Sequence, residues 1–147
     1  MKVSEVIDIG RGLIGSARPE SAVRDANALM IGNRVGALAV VDAEGRLAGI
    51  LSERDIARGL HEHGGGVLDR TVGDLMVREV ISCTADSDVR DATALMIQHG
   101  FRHLPVLDGE RPLTVISMRD IVSVRLASLE TDVEALRAQL DEIVSGG

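Results

Sequence analysis

Aromatic side chains are almost missing: the chain has one Phe, no Trp and no Tyr in 147 residues. A bound base or sugar would therefore rest on aliphatic side chains and backbone, without an aromatic stacking platform. There is a single cysteine, Cys83, which excludes an internal disulfide and points to a reducing compartment. Basic residues are in deficit, 16 Lys and Arg against 23 Asp and Glu, for a net charge of −7. That balance argues against nucleic acid as a partner, since non-specific binding to phosphate backbones needs a basic surface. No apolar run reaches the roughly 18 residues of a spanning helix, and no signal-peptide pattern opens the chain, so no membrane association is expected. No nucleophile–base pair, phosphate-cradling glycine loop or cluster of metal ligands is evident, so neither an enzyme nor a metal site is expected. His61-Glu62-His63 does not alter this, because residues i and i+2 do not share a helix face. The expectation is a cytoplasmic globule, 45% hydrophobic and 27% charged.

The chain contains one unit written twice. Val23–Asp42 laid on Val89–Asp108 matches at 11 of 20 positions, where chance gives about one. The match resumes after a one-residue loss at Ser52/Ser117, Arg54/Arg119, Asp55/Asp120 and Ile56/Ile121. A period near 66 residues is too long for a solenoid unit and implies two copies packed about a pseudo-two-fold axis. Each copy reads as a short helix, an extended entry, a helix, two strands and a helix. Pro19-Glu20-Ser21 and Asp86-Ser87 read as helix caps. Gly10–Ser16 reads as a loop, and Gly64-Gly65-Gly66 as a linker that no regular element holds cheaply. The expected division is repeat one at 1–62, a linker at 63–70, repeat two at 71–126 and a tail helix at 127–145.

In that tail Val122, Leu126, Leu129, Val133, Leu136, Leu140 and Ile143 alternate in steps of four and three, a heptad seam. It reads as a face for a partner helix, most simply in a homodimer. The alternative is that it folds back over its own sheet.

Thr71-Val-Gly-Asp-Leu-Met, Arg102-His-Leu-Pro-Val-Leu-Asp and Ala48-Gly-Ile-Leu-Ser-Glu-Arg-Asp-Ile, in two copies in register, resemble a tandem pair of CBS (cystathionine-β-synthase-type) domains, the Bateman module. The resemblance spans about Val3 to Leu126. It implies an α+β fold of α/β-type CBS repeats. It also implies a regulatory module that binds an adenosine-containing ligand, such as AMP, ADP, ATP, NAD or S-adenosylmethionine, between repeats and signals to an unidentified downstream protein. No resident cofactor is required. Copy two has Thr114 where copy one has Gly49, Pro105 for Ala39, and Arg102-His103 for Gly36-Ala37, so the two clefts are not expected to be equivalent.

The candidate site residues follow from chemistry and resemblance together. Asp55 or Asp120 can accept both hydroxyls of a ribose. Ser52 or Ser117 lies at a helix start, where free N–H groups favour anionic oxygens; Arg54 and Arg119 accompany them. Ser-x-x-Asp at a helix start also fits a capping box, and that alternative stays open. Arg102 and His103 suit a phosphate, or else bridge neighbouring carboxylates. Leu104 and Pro105 with Ser82, Cys83 and Thr84 would frame the base in one cleft. Ile14–Ser16 with Ala37, Leu38 and Ala39 would do so in the other. Cys83 alternatively serves as core packing.

Overall fold

The computed structural model describes residues 1–9 and 15–146. Gly10, Gly12 and Ile14, read above as loop and site residues, lie outside them. Copy one comprises α1 (Val3–Ile9), α2 (Val23–Asn33), β1 (Ala37–Val41), β2 (Leu47–Ser52) and α3 (Glu53–His63). After a 3-10 helix, Gly64–Asp69, come α4 (Val72–Leu75), β3 (Cys83–Thr84), α5 (Val89–His99), β4 (His103–Asp108), β5 (Arg111–Ser117) and α6 (Met118–Ser145). This is the mixed α and β architecture that the repeat pattern implied.

The pseudo-symmetry is visible in single hydrogen bonds. β1 and β2 pair antiparallel, as do β4 and β5. Cys83 and Thr84 run parallel to β4 at Val106 and Leu107; in copy one Ala17 makes the matching parallel bridge to Val40. Glu53 N–H donates to the Gly36 carbonyl at 2.9 Å, and Met118 N–H to that of Arg102 at 2.8 Å.

The opening helices are exchanged between copies. Val3 N–H donates to Ser87 O in copy two, while Val72 N–H donates to Ser21 O in copy one. Val3 and Val6 of α1 are buried in the core of copy two with Val89, Met96, Leu104 and Val106. Val72, Leu75 and Met76 complete the core of copy one around Val23, Met30, Leu38 and Leu51. Burial of apolar surface, the main force holding each core together, therefore joins the copies.

Three local expectations need correction, and one alternative is excluded. α2 starts at Val23 behind Ala22, with no side-chain cap; Ser21 Oγ instead accepts from Arg18 N–H at 3.2 Å. α5 is capped by Asp88, which accepts from Arg90 N–H, while Ser87 Oγ accepts from Thr84 N–H. Gly64-Gly65-Gly66 enters the 3-10 helix, because Val67, 1% exposed, anchors it in the copy-one core. The tail does not fold back: α6 continues unbroken from Met118 to Ser145, and its seven seam residues are 45% to 73% exposed.

Gly49 explains one difference between copies. The segment after α4 crosses β2, where Val77 and Ile50 exchange two hydrogen bonds. A Cβ at Gly49 would lie 2.6 Å from the Val77 carbonyl oxygen. Its counterpart Thr114 is buried in β5 and lines a cleft instead.

Candidate functional site

At the ends of β2 and β5 the strand hands over to a helix through Ser-x-x-Asp, and both steps are capping boxes. Asp120 N–H donates to Ser117 Oγ at 3.0 Å and Ser117 N–H to Asp120 Oδ2 at 2.9 Å. Asp55 and Ser52 do the same at 3.3 and 2.8 Å, and Ser52 Oγ–H adds a third bond to Asp55 Oδ2. The copies then diverge. Arg58 donates to Asp55 Oδ1 at 2.8 Å, and Asp55 is only 4% exposed. The position matching Arg58 is Ser123, so no guanidinium from that turn reaches Asp120 Oδ1. Asp55 is committed on both oxygens, whereas Asp120 retains acceptor capacity.

A cavity of about 520 Å³ lies between the copies. It gathers Ser117, Arg119, Asp120, Arg102 and His103 from copy two with Ala37, Gly36, Glu53 and Arg34 from copy one. Its apolar wall comes from Val6, Ile7, Met30 and Val35. Three guanidinium groups face two carboxylates, a local excess of positive charge in an acidic chain. The Arg119 guanidinium makes no hydrogen bond or ion pair among the described residues. A related cavity of about 390 Å³ holds Ser52, Arg54, Asp55 and Arg58 with Phe101, Arg102 and His103. Gly36, Glu53, Arg102 and His103 line both, so the two cavities share a wall.

His103 occupies that wall because Gly36 has no side chain. A Cβ there would lie 3.0 Å from His103 Nε2 and 3.4 Å from Glu53 Oε2. Burial, the largest influence, pulls the imidazole below its usual pKa of 6.5; Glu53 and Asp120 pull upward, and Arg102 adds to the lowering.

A third cavity, about 350 Å³, gathers Ser16, Ala37 and Leu38 with Arg111–Val115. None of these three is lined by Leu104, Pro105, Ser82, Cys83 or Thr84. Leu104, Pro105 and Cys83 are buried and Thr84 is exposed. Cys83 Sγ lies 3.7 Å from the Pro105 carbonyl oxygen, and burial pushes its thiol up to about 11.

Arg34, Glu53 and Arg58 were missed at the sequence level, whereas Thr114 was marked only as a difference between the copies. Arg34 caps α2 in the left-handed region, φ 55°, uncommon for a residue with a side chain. Its counterpart Gly100 was the available signal, since an αL cap at one copy predicts one at the other. Glu53 and Arg58 differ from their counterparts Met118 and Ser123, and such departures inside a repeat mark where the copies are chemically unequal.

Known proteins resemble this chain over most of its length. The CBS domain family matches residues 5–62 and 72–127. The CBS domain-containing protein YhcV of Bacillus subtilis is 32% identical over 120 residues, covering 81% of this chain and 84% of that protein. A protein with CBS domains from Burkholderia ambifaria superposes with a TM-score of 0.79 at 32% identity, covering 86% of this chain and 95% of that one. The CBS domain pair of protein MJ0100, solved in complex with 5-methylthioadenosine and S-adenosyl-L-methionine, shares the fold with a TM-score of 0.77 at 23% identity, covering 87% of this chain and 98% of that one. Among the described residues, no helix is long and apolar enough to cross a membrane.

Proposed function

The chain belongs to the CBS-domain family, with two repeats in tandem, and from that premise we propose that it senses an adenine nucleotide in the larger cleft between its repeats. The observation that carries this reading is the inequality of the two aspartates. Asp120 keeps an oxygen for a ribose hydroxyl beside the unengaged Arg119, while Asp55 is tied to Arg58. Arg34, Arg102 and Arg119 around one cavity favour a phosphorylated ligand over a neutral nucleoside. The volume of about 520 Å³ falls in the usual range for small-molecule sites. No Phe, Tyr or Trp lines the cavity, so the base would rest on aliphatic side chains of its wall such as Val35 and Ile31. The adenosine compounds held by MJ0100 support the ligand class.

In this reading the module is cytoplasmic, performs no catalysis and needs no metal or resident cofactor. Occupancy shifts the packing of one repeat on the other, because a ligand that prefers one arrangement changes its population. A separate protein reads that shift.

Thermal denaturation with AMP, ADP, ATP, NAD, NADH and S-adenosylmethionine tests the proposal. A ligand at 100 times its Kd adds about 2.7 kcal/mol of stability, several degrees at this size. Asp120→Ala is expected to lose that response while Asp55→Ala, though less stable, retains it. A flat response from every compound sinks the sensor reading and favours an assembly module with degenerate clefts.

A further inference from the structure

α6 runs beyond the body of the protein. Its last buried residue is Val124, and every residue from Leu129 to Gly146 is exposed. Most of a helix's stability in a protein comes from packing its apolar face, and here that face is uncovered within the subunit. The exposed face is a heptad seam. Leu126, Val133 and Leu140 hold the a positions; Val122, Leu129, Leu136 and Ile143 hold d.

The flanking positions identify what covers it. With this register Arg125 and Asp132 are g residues, and Glu130 and Arg137 are e residues. In a parallel two-stranded coil each g residue meets the e residue five positions later on the other strand. Arg125 then faces Glu130 of the partner subunit, and Asp132 faces Arg137 of the partner subunit. Both pairs are complementary, and both recur by symmetry. The two antiparallel registers centred near the middle of the seam do worse. One sets Asp132 against Asp132 of the partner subunit and Glu130 against Glu130 of the partner subunit. The other joins Glu130 to Arg137 of the partner subunit but leaves Asp132 facing the uncharged Gln139 of the partner subunit. Among the described residues none of the four charged groups is held in an ion pair within the subunit.

We propose that α6 pairs with α6 of a second copy of this chain as a parallel, in-register two-stranded coiled coil, with Arg125–Glu130 and Asp132–Arg137 pairs between subunits selecting the partner and its direction. The seam begins at Val122, in a groove of about 470 Å³ between α5 and α6 that includes Ile97, Ala94 and Leu126. Ile97, 71% exposed, lies where the incoming helix starts. The parallel direction places both subunits at the same end of the coil, with copy two of each next to the axis. This assembly does not depend on nucleotide binding.

Sedimentation equilibrium of the full chain, without ligand, gives the mass. A dimer is expected at micromolar concentration, and deletion of Ser128–Gly147 is expected to leave a monomer. Arg137→Glu is expected to weaken the dimer at least tenfold. Asp132→Arg combined with Arg137→Asp restores it, since the swapped pair attracts again in the parallel arrangement. The antiparallel arrangements predict no rescue. In the double variant one of them opposes the two new arginines at position 132, and the other sets the new carboxylate at position 137 against Glu130. In a Cys83→Ala background, Ile143→Cys is expected to form a disulfide between subunits under mild oxidation. Ile143 meets itself only when the strands run the same way. A monomer, a higher oligomer, a dimer that survives the deletion, failure of the double variant to recover, or a dimer without the 143–143 crosslink overturns the proposal.

Discussion

Asp55 and Asp120 sit on equivalent turns, and a single neighbour separates their chemistry. Arg58, itself half exposed, holds the buried Asp55 carboxylate at 2.8 Å and converts a potential acceptor into a structural partner. Removing one partner of such a pair costs about 2–3 kcal/mol through lost charged hydrogen bonds, so Asp55→Ala lowers stability more than Asp120→Ala does. His103 gives a second prediction at this scale. Its folded pKa lies below 6.5, so between those two values the unfolded chain binds a proton that the folded chain resists. Stability on its account is full above pH 6.5, falls as the pH drops below 6.5, and stops falling once the folded imidazole also titrates. Burial sets most of the width of that window; Glu53 and Asp120 narrow it and Arg102 widens it. His103→Gln is therefore expected to flatten the loss of melting temperature as the pH falls below 6.5. If the proposed nucleotide places its phosphate beside His103, that phosphate favours the imidazolium, and nucleotide affinity is expected to rise as the pH falls below 6.5 in the wild type only. Calorimetry in buffers of different ionisation enthalpy detects this as proton uptake; no uptake refutes the placement of phosphate beside His103.

At the scale of single elements, the sequence was most legible where local chemistry decides. The Ser-x-x-Asp steps announced two helix starts, and the structure shows both as capping boxes. The cap reading and the ligand reading were never exclusive, because a box uses one oxygen of the carboxylate and leaves the other. What the sequence could not convey was the occupancy of that second oxygen, which depends on whether residue 58 or 123 reaches back. Glycines were similarly ambiguous. Gly64-Gly65-Gly66 looked unstructured, yet the burial of Val67 just beyond them fixes the stretch. Gly32 and Gly59 both lie inside helices but behave oppositely. A Cβ at Gly32 meets nothing within 4 Å, whereas at Gly59 it would approach Leu75 Cδ2 at 2.7 Å and Val67 Cγ2 at 2.8 Å. Gly32→Ala is expected to stabilise by roughly 0.5–1 kcal/mol through helix propensity. Gly59→Ala is expected to cost about 1–3 kcal/mol, since α3 must move off the 3-10 helix and α4. Urea denaturation of the two variants checks the contrast; equal effects would show that the packing under α3 gives way easily.

Over the whole molecule, the repeat was plain in the sequence, but the exchange of opening helices was not. Val3-Ser-Glu-Val-Ile and Val72-Gly-Asp-Leu-Met look alike wherever they pack, and periodicity says which face is apolar without saying which core receives it. The structure gives Val3 to copy two and Val72 to copy one, each 0% exposed. The consequence is a crossed pattern of stability. Val3→Ala removes two buried methyl groups, about 1.6 kcal/mol of transfer energy before any cavity cost. The loss falls on the core of β3, β4 and β5, far along the chain from the substitution. Hydrogen exchange followed by mass spectrometry is expected to show faster exchange in peptides from 83–124 in Val3→Ala, and in peptides from 15–62 in Val72→Ala, because local opening follows the weakened core. If each repeat kept its own opening helix, the two variants would show the reverse. The same crossing makes the copies mutually dependent: a ligand that closes the shared wall at Gly36, Glu53, Arg102 and His103 acts on two cores that already share their helices. Protection induced by a nucleotide is therefore expected in both copies at once, even with a single cleft filled, and protection confined to copy two would show that the cleft is closed without moving the repeats.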